Sequence, residues 1–396
     1  MFKQYDPAPV PADDLAAALA PFGQSRMLPR AAYVDPAVFE WEKRNIFSGW
    51  ICVGHAGDLE GVGAQRAVGS GANGVLLVRG DDGEIRAFAN SCRHRGHELL
   101  ACGETAKRRG IVCPYHSWSY RLDGQVRNAP GFSDADGFEP AEFGLAELRL
   151  VNWHGWLFTD PSGQDADFAE HVGDLEDVIG PYRPEDLTIV ARHSYELATN
   201  WKVIAENYQE CYHCSTIHPE LSRISPPTSG ENLELTGTWM GGWMSIIDSA
   251  ETMSLTGKSG GVAIKGLSEQ ELRSVMYLVG YPNLLVSLHP DYVMTHLMTP
   301  LAVDRTHVEC AWAFPKDVAA QPDFDPSYAV DFWDLTNRQD WAACESVQRG
   351  LSSPHARPGP LAPAEDGVHQ FVTRVARAYQ GRSSAAAAAA AAPGSA

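Results

Sequence analysis

The sequence predicts an α+β protein with more than one domain, and three observations carry that reading. At 396 residues the chain exceeds the roughly 250 to 300 residues at which a single hydrophobic core stops growing. From Trp50 to about Pro161 it reads as short strands joined by turns. After Pro181-Tyr182-Arg183-Pro184 the texture changes to longer helical stretches mixed with strand-like runs, the pattern of an α+β domain.

In VLLVRGDDGEIRAFANSC, apolar runs flank a turn at Asp82-Gly83, and SYRLDGQVRN repeats the arrangement around Asp123-Gly124. Both are hairpin signals, so the first module is predicted to be all-β. In the second part, helical periodicity runs over 200–213 and 327–351, whereas VMYLVGY and YVMTHLMTPL read as strands. The Gly-rich 252–275 region is expected to be a flexible loop near the pocket. The Ala-rich tail, 381–396, has nothing to pack against and is expected to be disordered.

Composition excludes several classes. A net charge of −19 without a concentrated basic stripe opposes binding to nucleic acid. No run of roughly 18 uncharged apolar residues is present to span a bilayer. The N-terminal MFKQYDPAPVPADDLAAALAPFG carries acids and prolines where an export signal needs a basic start and an apolar stretch, so a cytoplasmic location is expected. The eight cysteines, at 52, 92, 102, 113, 211, 214, 310 and 344, are scattered. A disulfide framework is therefore not expected, and metal binding or burial should account for them.

Two of these cysteines belong to paired motifs. SCRHRGHELL places Cys92 and His94 in a C-x-H, and IVCPYHSWSY places Cys113 and His116 in a C-x-x-H, with eighteen residues between His94 and Cys113. Two thiolates and two imidazoles on turns can bind zinc or hold a two-iron two-sulfur cluster, and spacing alone does not separate these. His97 and Cys102 fall outside the pattern and read as a loop histidine and an incidental cysteine.

A second constellation lies in NWKVIAENYQECYHCSTIHPE, where Glu206, Glu210 and His213 share one face of a regular helix. His213 and His218 are five residues apart, about 140° on such a helix. They converge on one metal only if the helix ends or bulges between them. DFWDLTNRQDWAACESVQRGL supplies a carboxylate: Asp334 has Arg338 as an i, i+4 partner, but Asp340 lies in the largely apolar stripe of Trp333, Asn337, Cys344, Val347 and Leu351. A carboxylate there is costly to bury without a cation. His213, His218 and Asp340 would form a two-histidine one-carboxylate facial triad with open positions for dioxygen.

CRHRG followed by CPYHSWSY resembles the Rieske signature of ring-hydroxylating oxygenase α subunits. NWK, ENYQECYHC, HPE and QDWAACESVQRGL are similar to the iron-site segments of the same family, and the resemblance covers roughly residues 35–355. It implies a catalytic domain with a central antiparallel sheet flanked by helices. The expected domains are an N-terminal segment (1–45) packing on the catalytic domain, an iron-sulfur domain (46–161) and a catalytic iron domain (162–380). It implies one Rieske cluster, with Cys92 and Cys113 on one iron and His94 and His116 on the other, and one mononuclear non-haem Fe(II) on His213, His218 and Asp340. It also implies a homotrimer, in which Glu210 bridges the iron site to a neighbouring subunit's His116.

The chain has no GxGxxG fingerprint and no second cysteine cluster for a plant-type ferredoxin, so a separate flavin- or ferredoxin-type NAD(P)H reductase is implied. Glu210 within ECYHC is more similar to the carnitine, choline and glycine betaine branch than to the aromatic-ring dioxygenases. The expected reaction is thus hydroxylation or N-demethylation of a quaternary ammonium compound, with aromatic ring or aromatic acid oxidation as the alternative. A non-catalytic Rieske electron carrier and a zinc-stabilised binding protein are the remote alternatives. In 233–255, Trp239, Trp243 and Met244, with Glu234, Asp248 and Glu251, are candidate contacts for a cation through aromatic faces and carboxylates.

Overall fold

The computed structural model describes residues 6–71, 73–133 and 137–381. The expected disorder of the Ala-rich tail therefore concerns positions that, from 382 onward, lie outside the described residues. The chain divides into two compact units, Lys43–Asp165 and Met1–Glu42 together with Ala166–Ala396.

Among the described residues, the Lys43–Asp165 unit is built on β-structure. Its strands are β1 (Ile51–His55), β2 (Ala64–Ser70), β3 (Asn73–Arg79), β4 (Ile85–Ala89), β5 (Thr105–Lys107), β6 (Ile111–Val112), β7 (Ser119–Tyr120), β8 (Val126–Asn128), β9 (Glu147–Trp153) and β10 (Trp156–Asp160). Seven form a sheet in the order β1-β10-β9-β4-β3-β2-β5, and β6-β7-β8 form a second, small sheet. Both sequence-predicted turns close hairpins: Arg79 pairs with Ile85 around Asp82-Gly83, and Asp123-Gly124 joins β7 to β8. The turns need their glycines, because Gly83 and Gly124 have φ of 85° and 83°, a region that costs an L side chain strain. The core joins Leu76, Val78 and Phe88 of the large sheet to Cys92, Cys113, Trp118 and Tyr120. Both cysteine-bearing turns are thus anchored in the apolar interior.

The other unit carries β11 (Leu187–Leu197), β12 (Gly230–Asn232), β13 (Trp239–Ser245), β14 (Ser274–Gly280), β15 (Leu284–Leu288), β16 (Val293–Ala302) and β17 (Arg305–Pro315). They form an antiparallel sheet in the order β11-β17-β16-β15-β14-β13-β12. The LLVSL of β15 is buried at every position, as a strand covered on both faces must be. The 25-residue helix Ser327–Leu351 is joined to the sheet by Trp333 Nε1 donating to Tyr292 Oη (2.7 Å) and by a His296 to Asn337 hydrogen bond (3.0 Å). The helix Trp201–Tyr208 starts at Asn200, whose side chain accepts from Lys202 N. Asn200 Nδ2 also donates to Val303 O (2.6 Å), and its backbone N donates to Gln348 Oε1 (3.0 Å). The N-terminal segment joins this unit through Ala8 N to Tyr379 O (2.9 Å) and Arg30 Nε to Leu351 O (2.9 Å).

Three expectations need correction. The helix ends at Tyr208, and a separate short helix spans Cys214–Ile217, so Glu206, Glu210 and His213 do not share a helical face. Glu210 turns its carboxylate onto the following backbone, accepting from His213 N at 3.1 Å; a side chain competing with the helix for that N–H ends it. Cys211 and Cys214 are joined by a disulfide, so metal and simple burial do not account for all eight cysteines. The two cysteines flank His213 in sequence, and their Cα atoms lie 4.9 Å apart. Third, 252–275 is pinned by Asp291: Thr252 Oγ1 and Ser259 Oγ donate to its carboxylate at 2.5 Å, and Met253 is fully buried. None of these residues is among the described cavity-lining residues.

Candidate active site

The two cysteine-bearing turns have the same backbone geometry. Cys92 N donates to His97 O and Cys113 N to Trp118 O, each at 2.8 Å. Gly96 N closes onto Cys92 O at 2.8 Å, and Ser117 N onto Cys113 O at 3.1 Å. Gly96 and Ser117, at φ 71° and 60°, reverse each loop so that cysteine and histidine project the same way. The His94 and His116 rings lie 4.7 Å apart, centre to centre. Cys92 and Cys113 are buried, and burial pushes the Cys113 thiol up, with Cys92 beside it adding to the rise. Two adjoining buried thiols become thiolates only against positive charge, so the donor set fits a metal cluster with sulfur at one end and imidazole at the other. Arg93 N donates to Tyr120 Oη at 3.1 Å, and that hydroxyl lies 3.2 Å from Cys92 Sγ. His97 bonds instead to the Glu98 carbonyl, at 2.5 Å, and Cys102 is exposed.

The other constellation closes up through the broken helix. His213 and His218 bracket the Cys214–Ile217 helix, which turns both rings toward Asp340 on the long helix. His218 Nε2 is 2.8 Å from Asp340 Oδ1, His213 Nε2 is 3.4 Å from the same oxygen, and the two Nε2 atoms are 3.2 Å apart. Bonds of about 2.1 Å at right angles would separate the donors by about 3 Å, which is this triangle.

Each Nδ1 is occupied on its far side. His213 Nδ1 donates to Glu210 Oε1 (2.5 Å) and His218 Nδ1 to Gln339 Oε1 (2.7 Å), which directs both Nε2 atoms at Asp340. Burial opposes charge on His213, but Asp340 and Glu210 outweigh it and raise the imidazole to about 9. Burial likewise works to raise Asp340, and hydrogen bonds from His213 and His218 hold it below its ordinary value. Binding of a cation at the triad would displace the protons on Nε2. Gln339 went unread in the sequence, although it is the neighbour of Asp340.

The triad lines a cavity of about 710 Å³ whose wall also includes Tyr208, Gln209, Trp243, Met244, Tyr277 and Trp333. Trp243 and Met244 were expected there. Trp239 and Asp248 were also expected, but the structure does not bring them to the wall. Trp239 is 1% exposed, with its ring lying across Gly280, where a Cβ would meet it at 2.6 Å. Asp248 points into solvent near Arg273, and Glu234 and Glu251 are not among the described lining residues either. β13 lies close to β14 here: a Cβ on Gly241 (φ +137°) would stand 2.0 Å from Tyr277 O.

Residues 49–139 match the Rieske [2Fe-2S] domain, and residues 184–381 match the ring-hydroxylating alpha subunit catalytic domain. The chain belongs to the Rieske ring-hydroxylating oxygenase α-subunit family. It is an oxidoreductase whose cofactors are one Rieske cluster and one mononuclear non-haem iron. It is 30% identical over 377 residues to the glycine betaine monooxygenase oxygenase subunit of Chromohalobacter salexigens, covering 87% of this chain and 84% of that protein. The carnitine monooxygenase oxygenase subunit of Escherichia coli is 35% identical over 198 residues, 49% of this chain and 53% of that one.

The fold is shared with the quaternary ammonium Rieske monooxygenase CntA in complex with L-carnitine (TM-score 0.75, 23% identity, 94% of this chain and 99% of that one). It is shared equally with naphthalene 1,2-dioxygenase from Rhodococcus sp. (TM-score 0.77, 19% identity, 93% and 98%). Fold alone therefore does not choose between an ammonium and an aromatic substrate. Among the described residues no helix is long and apolar enough to cross a membrane.

Proposed function

We propose that this chain is the terminal oxygenase of a multicomponent system that removes an N-methyl group from a quaternary ammonium compound. The convergence of His213, His218 and Asp340 at the wall of an aromatic and acidic cavity is the observation that supports it most. In this reading Cys92, His94, Cys113 and His116 hold the cluster, and the triad holds the iron. A separate NAD(P)H reductase feeds electrons to the cluster. The chain works as a homotrimer in the cytoplasm, and electrons cross to a neighbouring subunit through His116 and Glu210.

His213, His218 and Asp340 would hold the iron, which when bound would supply dioxygen activation. One oxygen atom enters a methyl C–H bond, and the other leaves as water with two electrons and two protons. The resulting carbinol loses its hydroxyl proton as its C–N bond breaks, the bonding electrons staying on nitrogen, and releases formaldehyde and a tertiary amine. Tyr208, Tyr277 and Trp333 orient the trimethylammonium head by cation–π attraction, worth up to about 2 kcal/mol in a desolvated site. Glu210 accepts the Nδ1 proton of His213 and so keeps Nε2 free as a ligand.

With a reductase supplied, trimethylammonium compounds should yield formaldehyde in step with NAD(P)H oxidation. Asp340→Ala should lose iron and turnover while keeping the absorption of the cluster. Hydroxylated products from aromatic acids, with no formaldehyde from any ammonium compound, would replace this reading with ring oxidation.

A further inference from the structure

Besides the triad, the charged side chains lining the cavity are Glu210, Glu231 and Asp366, and the described lining contains no lysine or arginine. One wall is aromatic. Tyr277 stands edge-on to Tyr208 with centroids 6.0 Å apart and to Trp333 at 6.2 Å. Another wall is polar, and there Asn232 Nδ2 is committed to Asp366 Oδ1 at 2.7 Å. Gln209 is only 6% exposed, and neither its Nε2 nor its Oε1 has a hydrogen-bond partner. The Tyr277 hydroxyl, also buried, is unpartnered as well.

We propose that the substrate is a net cation, a quaternary ammonium compound bearing a hydroxyl or similar uncharged polar group and no carboxylate. This rests on the N-demethylation reading and narrows it. A carboxylate brought out of water is costly without a cation to pair with, and here it would meet Asp366 and Glu231 instead. A hydroxyl suits Gln209, because it can accept from Nε2 and donate to Oε1, satisfying a buried amide that otherwise has no partner. The acidic wall selects by repulsion as well as by attraction, since a zwitterion offers it a like charge at one end. The chain's net charge of −19 acts in the same direction by concentrating cations near the protein.

The test compares formaldehyde release from choline, glycine betaine and γ-butyrobetaine by the complete enzyme with its reductase. Choline is expected to have a kcat/KM at least about tenfold above either carboxylated compound. Glu231→Gln and Asp366→Asn should each raise the KM for choline about threefold or more with kcat retained, as loss of attraction at a site remote from the reacting methyl requires. Equal or better turnover of the betaines would overturn the cation assignment and leave N-demethylation standing. Formaldehyde from none of the three would remove both. An unchanged KM in both variants would also overturn the proposal, and Glu231, being exposed, can be replaced without endangering the fold.

Discussion

At the scale of single residues, the site depends on who occupies the far side of each histidine. Gln339 Oε1 accepts from His218 Nδ1 at 2.7 Å, and such supporting groups typically carry about 10- to 100-fold in metal affinity. Gln339→Leu should therefore weaken iron retention by about tenfold or more, measured as mononuclear iron per subunit after dialysis, with the cluster absorption intact. Glu210→Gln should keep both metal centres, because an amide oxygen still accepts from Nδ1, but slow electron transfer from cluster to iron in a single turnover. An unchanged rate would remove Glu210 from the electron path. Much of the candidate site was legible because its residues are chemically out of place: Asp340 is a carboxylate in an apolar stripe, and the C-x-H and C-x-x-H pairs sit on turns. Trp239 was misread because an aromatic residue facing a cross-strand glycine looks the same in sequence as one facing a cavity. Gln209 gave no signal, since a lone glutamine has no pattern to stand out from.

At the scale of elements, the short helix Trp201–Tyr208 sets the position of everything after it, and Asn200 fixes where it starts. Its side chain caps the helix and donates to the Val303 carbonyl, while its backbone N bonds Gln348. Asn200→Ala should cost about 1 to 3 kcal/mol, for a lost cap and a half-buried carbonyl left without its donor. Denaturant unfolding would check it, and a change below about 1 kcal/mol would show that the cap is dispensable. The hairpins were legible because Asp-Gly turns between apolar runs have one strongly preferred geometry. The sequence asked for a break between His213 and His218 and missed the one at Tyr208, because Glu210 folding onto His213 N is local competition that helical periodicity does not register. The loop expected over 252–275 is instead tied down by Asp291, more than fifteen residues away in sequence, and no local pattern reports such a partner.

At the scale of the whole molecule, the proposed trimer would pair the cluster of one subunit with the iron site of its neighbour. Co-expression of a Cys92→Ser chain with an Asp340→Ala chain should restore turnover that neither has alone, because mixed trimers can pair an intact cluster with an intact iron site; no recovery would argue for transfer within one chain. Acid should destabilise the fold. Burial depresses His171, and the nearby Arg374 adds to the effect, to about 3; burial also depresses His289 to about 3. Between that value and the ordinary 6.5, the unfolded chain binds protons that the native chain refuses. Stability from these two histidines is thus complete above pH 6.5 and lost as pH falls toward 3, at up to about 1.4 kcal/mol per pH unit for each. Thermal midpoints measured from pH 7.5 down to 5 should fall, and a flat profile would contradict the neutral burial of both rings. The most direct test of the central claim is a single turnover of chemically reduced protein, without reductase, mixed with dioxygen and a trimethylammonium substrate. The cluster should be reoxidised with release of about one formaldehyde per mononuclear iron; cluster reoxidation with no formaldehyde from any ammonium compound would rule out N-demethylation.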